Sequence, residues 1–294
     1  MGESAIRRVG VVVKPHQHEA VQTICELITW LAARGIKLVG TPEIERERIE
    51  HQTGCAIEVL EREELASRVD MMLVLGGDGT MIGVARLMED SEVPVLGINF
   101  GTLGYLAEFR VEEMFPAIES ILAGNFRLDR RVMLSVEHFR GEEKLMQSRV
   151  LNDVVINKAA LSRIIEIEAY SNGQYVNSFR ADGLIVSTPT GSTAYNLSAG
   201  GPVIYPSMNA IVMTPICPFT LSNRPIVVPD DTQLEIFLKT DREEVALTLD
   251  GQIGFTLQIS DRVLIRKSHT TFNIVQPANR NYFDVLRDKL RWGR

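Results

Sequence analysis

Hydrophobic and polar positions fall into two rhythms along this chain. Over residues 8–125, continuous apolar runs at 9–13, 36–39, 71–75 and 93–98 predict strands, and they alternate with segments at 19–34, 61–69, 81–88 and 112–123 that predict helices. Gly35 and Gly124-Asn125 stop two of those helices. Continuous apolar strands separated by helices predict a parallel sheet covered on both faces, with ligands at the strand C-termini. From about residue 130 the rhythm shortens. Strands are expected at 132–139, 144–150, 154–157, 164–170, 175–180, 184–187, 232–238, 244–249, 254–259, 263–266 and 272–275. Gly141-Glu142, Asn172-Gly173 and Asp250-Gly251 read as turns, and Asn-Gly between alternating runs is a hairpin signal. This half is expected to be an all-β sandwich. Residues 282–290 look helical again and are expected to pack back on the first domain.

Composition narrows the classes. With 294 residues, 45% hydrophobic and 23% charged, the chain is that of a globular protein with one large domain or two ordinary ones. A net charge of −7 argues against general affinity for nucleic acid or anionic membrane. Cys25, Cys55 and Cys217 are widely spaced and odd in number, so no disulfide framework or zinc spacing is expected. His16 and His18 read as a solvated loop rather than metal ligands. Residues 183–223 contain no Asp, Glu, Lys or Arg, which is long enough for a membrane span. Pro189, Pro202, Pro206, Pro215 and Pro218 break any helix there, so buried structure and hydroxyl-rich loops are expected instead. The run at 9–13 is too short for a signal-peptide core, and a cytoplasmic location is the expectation.

Two stretches carry chemistry. The first is Gly76-Gly77-Asp78-Gly79-Thr80, between a predicted strand and a predicted helix. Its glycines let backbone approach a ligand, and the helix N-terminus behind them favours anions. No Gly-Lys-Ser/Thr follows, so it is not a P-loop. A carboxylate in such a cradle is suited to a metal ion or to a hydroxyl that must lose its proton, which points to phosphoryl transfer onto an alcohol. The plain alternative is a strand-to-helix turn with Asp78 as its cap. The second stretch, residues 182–195, ends a strand in a loop dense in hydroxyls with Tyr195 at its edge. Hydroxyls suit a ribose or amide, and Tyr195 suits stacking on a ring. Arg180 and Asp182, two residues apart, would share one side of an extended strand.

Taken with the loop at 99–105, Asn152-Asp153 and Ser198-Ala199-Gly200-Gly201-Pro202, these motifs resemble those of ATP-dependent NAD kinases, in order and over nearly the whole chain. Gly-Asp-Gly loops are shared with phosphofructokinases and lipid kinases. The run Thr188-Pro189-Thr190-Gly191-Ser192-Thr193-Ala194-Tyr195 singles out NAD kinase. The resemblance implies an α/β plus all-β fold. Residues 1–127, with the C-terminal helical segment 277–294, would form a Rossmann-like parallel-sheet domain, and residues 128–276 a β-sandwich that binds NAD. It implies transfer of the ATP γ-phosphoryl group to the adenosine 2′-hydroxyl of NAD with Mg²⁺, and a homodimer or homotetramer. Asp78 would accept or hold the hydroxyl proton, and Gly79 would lie against the dinucleotide. Asn152 and Asp153 would bind the adenosine portion, although the family usually has Glu where this chain has Asp153. Arg163 would contact the dinucleotide, and Arg180 and Asp182 would reach the nicotinamide side. An arginine like Arg180 accompanies preference for NAD over NADH. Thr193, Ala194, Tyr195 and Ser198 would line the site across a subunit boundary, and Gln252 would close it. Polyphosphate is an alternative donor. A lipid kinase of the diacylglycerol or sphingosine type, or a noncatalytic NAD(P)-binding sensor, are the competing readings.

Overall fold

The structure is a computed structural model that describes residues 6–15, 17, 19–88, 90–159, 163–241, 244–277 and 280–292. His16 and His18 lie outside the described residues. The chain divides into two units, one of residues 1–130 and 272–294 and the other of residues 131–271.

The first unit alternates strand and helix: β1 (Arg8–Val13), α1 (Glu19–Ala32), β2 (Lys37–Gly40), α2 (Arg46–Thr53), β3 (Glu58–Val59), α3 (Arg62–Arg68), β4 (Met71–Leu75), α4 (Asp78–Leu87) and β5 (Val95–Asn99). The short β6 (Phe109–Arg110) and a 3₁₀ turn at Val111–Glu113 lead into α5 (Met114–Leu122). The sheet order is β3-β2-β1-β4-β5, every pair parallel. Valines and leucines of β1, β4 and β5 meet the apolar stripe of α1 (Ile24, Leu27, Ile28, Leu31) and Ile118 and Ile121 of α5 in one core. Order reversal between β1 and β4 creates a switch point at their C-terminal ends, where ligands bind in such sheets. The Gly76–Thr80 loop starts there: the Lys14 amide donates to Leu75 O, and the Gly76 amide donates to Ile98 O.

The second unit is all-β. Its strands begin with the long β7 (Arg127–Arg140), which enters from the first unit, and continue with β8 (Glu143–Val150), β9 (Asp153–Lys158), β10 (Ile165–Ser171), β11 (Gln174–Ala181) and β12 (Gly183–Ser187). A 3₁₀ turn at Thr190–Thr193 and the one-turn α6 (Tyr195–Ser198) follow. Then come β13 (Ala210–Ile216), β14 (Ile226–Pro229), β15 (Leu234–Leu238), β16 (Val245–Leu249), β17 (Ile253–Leu257) and β18 (Arg262–Gln276). One sheet joins β11-β10-β15-β18, with β7 on β18 and β8 on β7; the other runs β14-β13-β12-β9-β16-β17. Inward residues of both, such as Leu134, Ile167 and Ile236 from the first and Ile156, Val186 and Leu247 from the second, share one core, which makes the unit a sandwich. Asn172 and Asp250 have φ of 49° and 52° and are each followed by a positive-φ glycine, as type I′ turns require; the first loop is two residues long and the second, which adds Gln252, is three. The last helix, α7 (Tyr282–Leu290), belongs to the first unit.

Three differences from the sequence reading have physical causes. The α2–β3 segment was not expected, because Ile49 is the one buried side chain α2 offers. The segments 263–266 and 272–275 form one strand, β18, despite its polar middle. Residues 210–216 form β13, a fully buried strand that contains Pro215. Partner β14 covers β13 only from Ala210 to Met213, so Pro215 lies beyond it, on a side with no ladder to break.

Candidate functional site

In the first unit, Asp78 opens the ten-residue α4 directly after Gly76-Gly77. Its carboxylate is half-buried, and the loop after β5 fixes it. The Tyr105 amide donates to Oδ2 at 2.8 Å, and the Leu106 and Ala107 amides donate to Oδ1 at 3.0 and 3.2 Å. Gly104 completes the cradle because it has no side chain. A Cβ there would fall 1.8 Å from Asp78 Oδ1. Asn99 shapes the start of the same loop: its Oδ1 accepts from the Gly101 amide and its Nδ2 donates to Thr102 O. The two loops noted in the sequence are therefore one structure, joined through Asp78. Gly79 is exposed beside it. The role of the 105–107 amides was not read from the sequence, since backbone donors leave no residue-type signal.

In the second unit, Asn152, Asp153, Ala194 and Tyr195 line one cavity of about 400 Å³ together with Val155, Asn157, Thr248, Asp250 and Gly251. Asp250 organises it. Its carboxylate accepts the amides of Leu151 (3.1 Å), Asn152 (2.7 Å) and Asp153 (3.2 Å), and its own amide donates to Asp153 O at 2.9 Å. The sequence marked Asp250 only as a turn former. The same positive-φ geometry that makes it one also points its side chain at the β9 corner. Asp153 is 4% exposed. Burial, and after it the charge of Asp250, pushes its carboxyl up to about 7, while the Tyr195 amide draws it down.

The hydroxyls of the 187–193 loop donate within the second unit, which fastens the loop. Ser187 and Thr188 donate to Asn152 O and Leu151 O at 3.2 and 2.6 Å, Ser192 donates to Pro189 O at 2.6 Å, and Thr193 donates to Thr190 O at 3.2 Å. Ser187, Thr188 and Ser192 are completely buried. Gly191 is needed for this fastening, since a Cβ there would lie 2.1 Å from Asn152 O. Tyr195 stays exposed, with its ring available for stacking.

The remaining sequence candidates lie apart from that cavity lining. Arg180 and Asp182 do not share a strand, because the chain leaves β11 at Ala181 and enters β12, in the other sheet, at Gly183. The Arg180 guanidinium lies 5.3 Å from the centre of the Phe219 ring, whereas Asp182 faces Lys158 at 3.7 Å. Arg163 is exposed ahead of β10, Ser198 is exposed at the end of α6, and Gln252 follows Gly251 with its amide on Leu249 O. Among the described residues no group of three or more His, Cys, Asp and Glu is placed to hold a metal by itself, and no helix is long and apolar enough to cross a membrane.

Residues 9–126 match the ATP-NAD kinase N-terminal domain, and residues 151–277 match the ATP-NAD kinase C-terminal domain. The NAD kinase of Geotalea daltonii is 45% identical over 288 residues, covering 98% of this chain and 99% of that protein. The NAD kinase of Citrifermentans bemidjiense is 46% identical over 292 residues, with the same coverage. The fold is shared with a yeast NADH kinase solved with NADH (TM-score 0.90, 24% identity, 98% of this chain and 88% of that one). It is also shared with an Archaeoglobus fulgidus NAD kinase solved with ATP (TM-score 0.73, 23% identity, 97% and 98%). The chain belongs to the ATP-NAD kinase family.

Proposed function

We infer that this NAD kinase transfers the ATP γ-phosphoryl group to the adenosine 2′-hydroxyl of NAD with Asp78 as the group that accepts or holds the hydroxyl proton. The observation that carries this reading is the anchoring of the Asp78 carboxylate. Three consecutive amides fix its orientation, yet Oδ2 accepts one of them and has capacity for a second bond. A ribose hydroxyl is a poor nucleophile at neutral pH, so the reaction needs alignment and a fixed acceptor more than it needs covalent chemistry. The N-terminus of α4, at Gly77 and Asp78, favours the phosphates.

The donor set fits a cation that arrives on the ATP phosphates and takes one or two protein carboxylates at most, as Mg²⁺ does. Asp78 is the residue that would hold it. When bound, Mg²⁺ supplies charge neutralisation at the transferred phosphoryl group. In the second unit, Asn152, Asp153, Ala194 and Tyr195 take the adenosine portion, supported by their shared cavity. The assignments of Gly79, Arg163, Arg180, Asp182, Thr193, Ser198 and Gln252 to the dinucleotide rest on motif position. So do the dinucleotide-binding role of residues 128–276, a homodimeric or homotetrameric state and a cytoplasmic location. The lipid-kinase and sensor readings gain nothing from the two domain matches or from the anchored Asp78.

The test is NADP formation from NAD, ATP and Mg²⁺ by the purified chain and its Asp78→Asn variant. A kcat lower by ~10²–10⁴-fold with an unchanged circular dichroism spectrum is expected. Near-normal turnover in the variant overturns the role of Asp78.

A further inference from the structure

Both ends of the amide cradle that holds Asp78 are touched by the C-terminal segment. At one end, Lys289 Nζ lies 5.9 Å from the centre of the Tyr105 ring. At the other, the Arg280 guanidinium donates to the carbonyl of Glu108, the residue after the last cradle amide, and spans the Glu113 carboxylate at 3.1 and 3.4 Å. Glu113 in turn accepts the Arg110 amide at 2.8 Å, which closes the 3₁₀ turn. One planar fork therefore ties the loop to the turn that follows it, which a point charge cannot do as well.

The loop has little room to move. Leu103, Gly104 and Glu108 meet Arg280, Val285 and Lys289 around a cavity of only about 60 Å³. The space a Cβ would take at Gly104 is already filled by Asp78 Oδ1, so a shift of the loop shifts the carboxylate. The start of α7 does not depend on Arg280: Asn281 Oδ1 accepts the Phe283 and Asp284 amides, and the Asp284 carboxylate accepts the Asn281 amide.

We propose that Arg280 is a positioning residue for the Asp78 carboxylate and that α7 is a strap across the loop whose amides hold it. The proposal rests on the role inferred for Asp78. A misplacement of reacting groups by about 1 Å costs ~10²-fold in rate, so a loosened cradle appears in turnover before it appears in substrate binding.

The experiment compares the full-length chain with Arg280→Ala, Arg280→Lys and Lys289→Ala, each with and without Asp78→Asn, in the NADP assay. Arg280→Ala is expected to lower kcat by ~10–100-fold with both KM values within about twofold and the melting temperature retained. Arg280→Lys should recover part of the loss, since an ammonium can hold one of the two acceptors. Lys289→Ala, which leaves the Arg280 bonds in place, should lower kcat less. None of these changes should slow the Asp78→Asn enzyme further, because the group they position is already altered. An equal loss in the Asp78→Asn background, or a loss confined to KM, overturns the proposal. If Asp78→Asn alone turns over normally, the reading of Asp78 fails by itself, visible without any Arg280 variant.

Discussion

Replacing Asp153 with Asn should make the protein's stability less dependent on pH, and the size of the effect follows from the cavity. Burial and the neighbouring Asp250 raise the Asp153 carboxyl from its ordinary 3.8 to about 7. That difference of roughly 3 units, at about 1.36 kcal/mol each, is a cost of about 4 kcal/mol for carrying the charge in the folded state. The folded pKa is raised above the unfolded one, so between them the native state binds a proton the unfolded chain has released. Stability therefore falls as pH rises through the window from about 4 to 7 and is level above it. Between pH 5 and pH 8 the wild type should lose about 2–3 kcal/mol through this group alone. Asn carries no charge, and its side-chain oxygen can still accept the Tyr195 amide. Urea unfolding of both proteins at pH 5 and pH 8, without substrate, measures the double difference. Asp153→Asn should gain about 2–3 kcal/mol relative to wild type across that range. A gap that stays constant with pH, or a wild type that gains more than the variant, refutes the reasoning.

Other perturbations test the remaining geometry. Gly104→Ala puts a methyl group where Asp78 Oδ1 sits. It should cost on the order of 100-fold in kcat, and steady-state assays should show far less change in the KM for NAD. Asp250→Ala removes the acceptor shared by three amides at the Leu151–Asp153 corner. At roughly 1–3 kcal/mol for a buried unsatisfied donor, unfolding experiments should show a loss of about 3 kcal/mol, and calorimetry a weaker NAD affinity. Asp261 is buried, which raises its pKa, but Arg140, the Gln258 amide and His138 outweigh burial and lower it overall. Its contribution is present above the ordinary carboxylate range and lost as pH falls through the depressed value. Asp261→Asn should therefore lower stability by about 3 kcal/mol at pH 7, with the gap closing in acid; thermal melts at pH 7 and pH 3 check it.

Legibility in the sequence followed how much of an element's cause is local. The β4 strand, with five buried apolar residues in a row, was read to the residue, and so was α7, an amphipathic turn-and-helix with Asn281 as its cap. The two type I′ turns were legible because only Asn, Asp and Gly accept their backbone. β13 was missed because Pro215 argues against a strand until the length of the neighbouring β14 is known, and that is a fact about pairing, not about the segment. The site divides the same way. Asp78, Asn152, Asp153 and Tyr195 were legible as candidates because their side chains carry the motif. The loop-fastening bonds of Ser187 and Thr188 were not legible because their partners, Asn152 O and Leu151 O, lie more than thirty residues earlier. Arg180 and Asp182 were paired across a strand that the chain leaves between them.

Three candidate carboxylates, Asp78 in the first unit and Asp153 and Asp250 in the second, divide by what backbone surrounds them. Asp78 and Asp250 each accept three consecutive amides, Tyr105–Ala107 in the first unit and Leu151–Asp153 in the second. Three donors on one carboxylate compensate its desolvation and fix its orientation, so each serves as a stationary reference for the loop around it. Asp153 has one such donor, from Tyr195, and bears both its own burial and the charge of Asp250. Together they raise its carboxyl to about 7. The longer Glu usual at this position in the family would carry the charge one methylene further from the Asp250 cradle. The shorter Asp keeps it close, so the cost of ionisation falls on the residue proposed to meet the adenosine. A protonated Asp153 can donate to a ligand oxygen where an ionised one can only accept. In wild type the KM for NAD should therefore change between pH 6 and pH 8, and in Asp153→Asn it should stay level.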